Sequence, residues 1–136
     1  MIIGWQERIG LPDLGLKNFA VKVDTGAKTT AMHAEDIETF SKERSHWVRF
    51  RGHELDGNVR EFFEFPVFTE RKIRNTSGFT EERVVIRSRM TLAGRQWDID
   101  ISLTNRSSMR FPLILGRRAL IDQNAAVHPS LTFLVS

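Results

Sequence analysis

A single Asp-Thr-Gly-Ala, spanning Asp24 to Ala27, follows directly on the alternating run Phe19-Ala20-Val21-Lys22-Val23. A period of two marks a half-buried strand, so the tetrapeptide stands where a strand ends and a tight loop begins. Its residues suit that place. Asp24 supplies a carboxylate, and Thr25 a short hydroxyl that can donate and accept. Gly26 permits the backbone angles of a tight loop and lets another backbone approach closely. Ala27 keeps the floor small. Asp-Thr-Gly is also an ordinary turn sequence, so its context has to carry the argument. That context includes a second apolar run far downstream, Phe111-Pro112-Leu113-Ile114-Leu115-Gly116-Arg117, which closes on glycine and is expected to pack under the same loop.

The rest of the chain also favours strands. Val84, Ile86, Met90 and Leu92 alternate with Arg83, Val85, Arg87, Arg89 and Thr91. After a turn at Ala93-Gly94, Trp97, Ile99, Ile101 and Leu103 alternate with Asp98, Asp100, Ser102 and Thr104. The two runs predict a β-hairpin. Further strands are expected at Phe19–Val23, Thr29–Met32, Trp47–Arg51, Phe62–Phe68 and Leu131–Val135. One short helix is expected from Arg117 to about Gln123, and another turn or two of helix at Asp36–Glu43. The stretch from Arg71 to Thr80 joins two strand signals through Asn75, Ser77 and Gly78, turn formers that predict a hairpin with a polar tip. Such a hairpin has the form of a lid over a cleft, and equally that of a surface loop. The expected fold class is all-β: one domain, residues 1–136, forming a small closed barrel with a short C-terminal helix.

Composition narrows the function classes. The 136 residues hold no Cys, which excludes a disulfide framework and a thiolate zinc site. The four histidines lack ligand spacing, so no metal and no cofactor is expected. His33 beside the Asp24 loop is expected to be packed or hydrogen-bonded. With 20 Lys and Arg against 17 acids the net charge is only +3, and there is no nucleic-acid-binding motif. No apolar run is long enough to cross a membrane. The first residues, Met1 to Arg8, lack a signal peptide's apolar core. A cytoplasmic protein is the expectation, or a periplasmic one if a leader was removed.

The order of parts resembles the retropepsin fold: strand, Asp24-Thr25-Gly26-Ala27, flap-like hairpin, second hairpin, Leu113-Ile114-Leu115-Gly116-Arg117, short helix. A closer resemblance covers nearly the whole chain. Gly4-Trp5-Gln6-Glu7, Lys22 through Ala34, Leu103-Thr104-Asn105-Arg106 and Leu115-Gly116-Arg117 are similar to the bacterial retropepsin-like family once labelled "ATP-dependent zinc protease". That family is associated with ATP-grasp ligases of the ribosomal-protein-modification type. The sequence has neither a phosphate-binding Gly-x-x-x-x-Gly-Lys-Ser/Thr loop nor a His-Glu-x-x-His helix to support the old label.

The resemblance implies an aspartic endopeptidase acting on a peptide or protein. Such chemistry needs two carboxylates sharing a proton around one water. One Asp-Thr-Gly is half a site, so a homodimer with one catalytic Asp24 per subunit is implied, with Thr25, Gly26, Ala27, Lys28, Asn75, Ser77 and Gly78 as substrate-binding residues. Met1–Trp5 and Leu131–Val135 are candidate dimer elements, or parts of each subunit's own barrel. A peptide-binding or dimerisation module that has lost the reaction, and a metal-dependent hydrolase, stay open as alternatives. Retroviral enzymes commonly carry an acid immediately after Asp-Thr-Gly-Ala, where it can pair with the Arg of the Gly-Arg segment. This chain carries Lys28 there. Either Glu35, Asp36 or Glu61 compensates near Arg117, or the cleft is positive. Lys28, Lys72, Arg74, Arg110 and Arg117 are the cations expected to converge on it, favouring an acidic, glutamate-rich peptide.

Overall fold

The computed structural model describes residues 1–52, 62–74, 77–106 and 109–136. Among these, eleven strands and one short helix follow in order. They are β1 (Ile2–Gly4), β2 (Gln6–Leu11), β3 (Leu16–Asp24), β4 (Thr30–Lys42), β5 (Ser45–Gly52), β6 (Phe62–Pro66), β7 (Thr69–Arg74), β8 (Thr80–Leu92), β9 (Arg95–Thr104), β10 (Leu113–Gly116), α1 (Arg118–Ile121) and β11 (Ala126–His128).

Strand pairing runs β10-β3-β2-β8-β9-β4, and β10 pairs again with β4, so these six strands close into a ring. The ring encloses the apolar core, with Val21, Met32, Ile86, Met90, Ile101, Leu113 and Leu115 fully buried. Each such side chain contributes about 1.5–3 kcal/mol when removed from water. The expected hairpin is β8–β9, turning at Ala93-Gly94 with both residues at positive φ. Facing in β8 follows the predicted alternation from Ile86 onward. Ahead of it Arg83 and Val85 turn inward instead of Val84. The reason is topological: the first half of β8 belongs to a hairpin with β7, the second half to the ring.

Two predicted elements are corrected. Asp36–Glu43 is not helical. It forms the far end of β4, pairing with β5 through Phe40↔Trp47 and Lys42↔Ser45. Glu43 and Arg44 both take positive φ, 51° and 64°, as a two-residue turn matched to strand twist requires. Leu131–Val135 is likewise not a strand but an irregular tail. Its amides find a side chain. The carboxylate of Glu7, fully buried on β2, accepts from Leu134 N at 2.8 Å, Val135 N at 3.4 Å and Ser136 Oγ at 2.6 Å, and from Gly4 N at 2.7 Å. β1 meanwhile pairs in parallel with β11 of its own chain. Both terminal segments are therefore engaged within the subunit. The helix is also shorter than expected, and Trp97 Nε1 anchors it by donating to Ala119 O at 2.9 Å.

A second clip holds the 3-10 turn Pro12–Leu14 against β8. Asp13 accepts from the Arg89 amide at 3.1 Å and from its guanidinium at 2.9 and 2.6 Å. The Arg89 side-chain hydrogen bond, then its backbone bond, hold the Asp13 carboxyl below the usual carboxylate range. A carboxylate with a lowered folded pKa adds stability that is fully present above its unfolded value and is lost as pH falls through the folded one. Arg89→Ala should therefore cost stability at neutral pH, and the difference from the parent should vanish well below about pH 4, measured as urea midpoints.

The Glu7 clasp gives a larger effect. Glu7→Ala strands three amides, that of Gly4 buried and those of Leu134 and Val135 partly so, and should destabilise the fold by on the order of 3 kcal/mol. Hydrogen exchange should then locate the first opening at Leu134 and Val135.

Candidate active site

β3 ends at Asp24, and the chain turns at once: Ala27 N donates to Asp24 O at 3.1 Å. The Asp24 carboxylate is oriented from inside the same loop, Oδ1 accepting from Gly26 N at 3.0 Å. A Cβ at position 26 would lie 3.1 Å from that oxygen, so glycine keeps the carboxylate uncrowded.

β10 fixes the loop from behind. It lies between β3 and β4, in parallel register Gly116↔Asp24 on one side and antiparallel Leu113↔Met32 on the other. Gly116 N donates to the buried Thr30 Oγ1 at 3.1 Å. Past the strand, Arg117 N donates to Ala27 O at 2.8 Å and Arg118 N to Lys28 O at 3.3 Å. The Arg117 guanidinium reaches round to the carbonyls of Thr25 at 3.4 Å and Gly26 at 3.3 Å. The predicted packing of Leu113–Gly116 beneath the Asp24 loop is thus observed. It also shows how Lys28 and Arg117 coexist: Arg117 bonds backbone carbonyls. Of the candidate compensating acids, Asp36 lies 3.7 Å from Arg51, Glu35 lies 3.7 Å from His33, and Glu61 falls outside the described residues.

Asp24 opens on a cleft of about 800 Å3 between this loop and the β7–β8 hairpin. Gly26, Ala27 and Lys28 line it with Asp24. The hairpin contributes Arg71, Lys72, Ile73 and Arg74 from β7 and Arg83 from β8, while Arg106 and Arg118 stand at the sides. Asp24 is the one acid among the described lining residues, facing seven cations.

The predicted site residues divide accordingly. Thr25 is exposed at the loop apex, and Ser77 and Gly78 sit exposed at the hairpin tip, so none of the three lines the cleft. Asn75 lies outside the described residues. Lys28, Lys72 and Arg74 are in the cleft as expected. Arg110, whose guanidinium sits 5.9 Å from the Phe111 ring centre, and Arg117 are not. Arg71, Arg83, Arg106 and Arg118 are additions. His33 is buried, and its Nδ1 accepts from Arg106 N at 2.9 Å, which fixes the backbone that carries Arg106 into the cleft. Among the described residues no three of His, Asp and Glu converge as metal ligands.

Comparison with known proteins agrees with this arrangement. Residues 2–136 match the RimB-like family, described as "Retropepsin-like aspartic endopeptidase RimB". The chain belongs to the RimB-like family. A crystal structure from Legionella pneumophila, of a protein of unknown function, is 33% identical with a TM-score of 0.83, covering 99% of this chain and 98% of that one. The EIAV protease, solved with the inhibitor HBY-793, matches at 14% identity and a TM-score of 0.51 over 90% of each chain. At that identity the likeness concerns the fold alone. Proteins named "Probable alpha-L-glutamate ligase" are 41% identical over 125 residues in Parasynechococcus marenigrum and 36% over 134 residues in Shewanella pealeana. The chain spans only 27% and 29% of their lengths. This retropepsin-like sequence thus matches part of longer proteins that carry a ligase name.

The tightness of the β10 wedge can be tested. A Cβ at Gly116 would meet the Thr29 carbonyl carbon at 2.6 Å, so Gly116→Ala should cost about 1–3 kcal/mol in urea unfolding. Hydrogen exchange should locate the loosening at Asp24–Thr30.

Proposed function

We propose that this RimB-like chain is one half of an aspartic endopeptidase, completed by a second copy. The observation that carries the reading is the Asp24 carboxylate, aimed by Gly26 N–H within a loop locked by β10 and Arg117, and open to a cleft roofed by a hairpin. In the paired site two Asp24 carboxylates share one proton, because two like charges at contact distance do not both ionise. One takes a proton from the attacking water while the other protonates the carbonyl oxygen of the scissile bond. Thr25, exposed at the loop apex, is the residue available to bond across the two-fold axis.

The cleft's charge supports an acidic peptide as substrate. Cations gathered in a concave site raise the local concentration of anions. Relatives named as glutamate ligases make a glutamate-bearing protein tail the substrate class of choice, with this chain removing what such a ligase adds. A second reading, a peptide-binding module without hydrolysis, is favoured by one observation. β1 and the C-terminal tail are already engaged in their own chain, so a dimer has to form through other surfaces.

Turnover of a quenched glutamate-rich peptide separates the readings. Asp24→Asn keeps the shape and removes the acid–base function. It should lower the rate about a thousandfold with the unfolding midpoint little changed, whereas equal turnover would exclude the aspartic mechanism. Lys28→Ala should weaken the preference for acidic over apolar peptides, and added salt should do the same to the parent. A preference for apolar peptides that ignores both would overturn the acidic-substrate reading.

A further inference from the structure

Arg71 on β7 and Arg83 on β8 are directly opposite partners in the antiparallel ladder. Opposite residues in a ladder point to the same face with Cβ atoms roughly 5 Å apart, and like charges so placed repel. Both line the Asp24 cleft. The neighbouring pair on that face is Ile73↔Glu81. Arg83 is 6% exposed, an uncommon position for arginine unless its charge is matched.

Each acid that holds one of the two arginines has an alternative to it, solvent for Glu81 and a second arginine for Asp100. Arg83 Nη2 lies 3.2 Å from Glu81 Oε2, but the Glu81 side chain is 41% exposed near the hairpin tip. Arg71 Nη2 lies 3.3 Å from Asp100 Oδ2, while Asp100 Oδ1 already has a shorter contact, 2.9 Å, with Arg87 Nε. Releasing Arg71 would leave Asp100 paired. Arg71 also borders a second cavity, of about 480 Å3, on the Asp100 side. Arg71 therefore borders both spaces and is held by an acid with another partner.

We propose that Arg71 and Arg83 form a carboxylate-reading fork on the roof of the cleft, with Asp100 and Glu81 as internal place-holders that a ligand carboxylate displaces. The proposal rests on the acidic-peptide reading of the site and names the residues that read the acid. The two planar guanidiniums offer paired donors to the two oxygens of a carboxylate. The ligand gains charge-assisted bonds, and the repulsion between the arginines is relieved. A neutral peptide gains neither, and finds both arginines still occupied by their place-holders. The fork thus makes the hairpin a specificity element.

The test uses the full chain carrying Asp24→Asn, so that bound peptide is not turned over, with fluorescein-labelled hexaglutamate and hexaglutamine read by anisotropy. Hexaglutamate should bind the tighter of the two. Adding Arg71→Gln or Arg83→Gln should weaken hexaglutamate at least about tenfold and leave hexaglutamine unchanged, while Lys17→Gln, at the end of β3 away from Asp24, should change neither affinity. Arg83→Lys keeps the charge without the fork and should fall between. Asp100→Asn removes a place-holder and should tighten hexaglutamate several-fold, a sign that a merely structural role for Arg71–Asp100 does not produce. If buried Arg83→Gln does not fold, the more exposed Arg71 carries the test alone. Parent-like hexaglutamate binding by a folded Arg71→Gln, or no tightening in Asp100→Asn, would overturn the proposal. The readout is separate from catalysis: turnover that ignored Asp24→Asn would sink the peptidase reading and leave the fork standing, and the converse holds equally.

Discussion

The four residues of β10 are inserted between two strands that run in opposite directions, and the position of Asp24 depends on that insertion. β3 and β4 leave the loop at Asp24–Thr29 on either side, and β10 bonds to both. Its own end then turns back, so that the amides of Gly116, Arg117 and Arg118 meet a Thr30 hydroxyl and the carbonyls of Ala27 and Lys28. A loop ordinarily exchanges its hydrogen bonds with water. This one has them fixed by a buried strand, and a fixed loop is what a pre-aimed carboxylate needs. The same insertion closes the ring of strands, so the core and the site share one structural cause.

Local signals made much of this legible beforehand. The run into Asp24 and the β8–β9 hairpin announce themselves through strict alternation and a turn at Ala93-Gly94. The close of Leu113–Gly116 on glycine marks where a backbone must come near, and the near contact with Thr29 is the reason. The misses were decided by partners far away in sequence. Asp36–Lys42 mixes acids, Thr and Ser around only Ile37 and Phe40, and its strand state comes from pairing with β5 through a turn that puts two non-glycine residues at positive φ. Leu131–Val135 alternates like a strand, yet a single buried carboxylate on β2 takes the place of a ladder. The Arg71–Arg83 pair was hidden for a related reason. An arginine in a strand reads as a solvent-facing residue until the hairpin register places it opposite another one.

Electrostatics distinguishes this cleft from a generic peptide groove. Cations from four separate parts of the chain converge: the loop after Asp24, the β7–β8 hairpin, the segment after β9, and α1. Arg106 is held there through a buried histidine, and Arg117 is kept out of the cleft by the carbonyls it binds. The positive charge is therefore built on a fixed backbone and not left to flexible surface lysines alone. The proposed chemistry needs, beside Asp24 in this cleft, a second carboxylate to share a proton with it.

That second carboxylate is the centre of the proposed function, and subunit mixing tests it most directly. Parent and Asp24→Asn chains would be combined in varying ratio at constant total concentration, unfolded together, refolded, and assayed on a glutamate-rich peptide. If each active site needs an Asp24 from both chains, the rate falls as the square of the parent fraction. A rate that falls in direct proportion to the parent fraction would mean that one chain carries a whole site, and would contradict the paired-carboxylate mechanism.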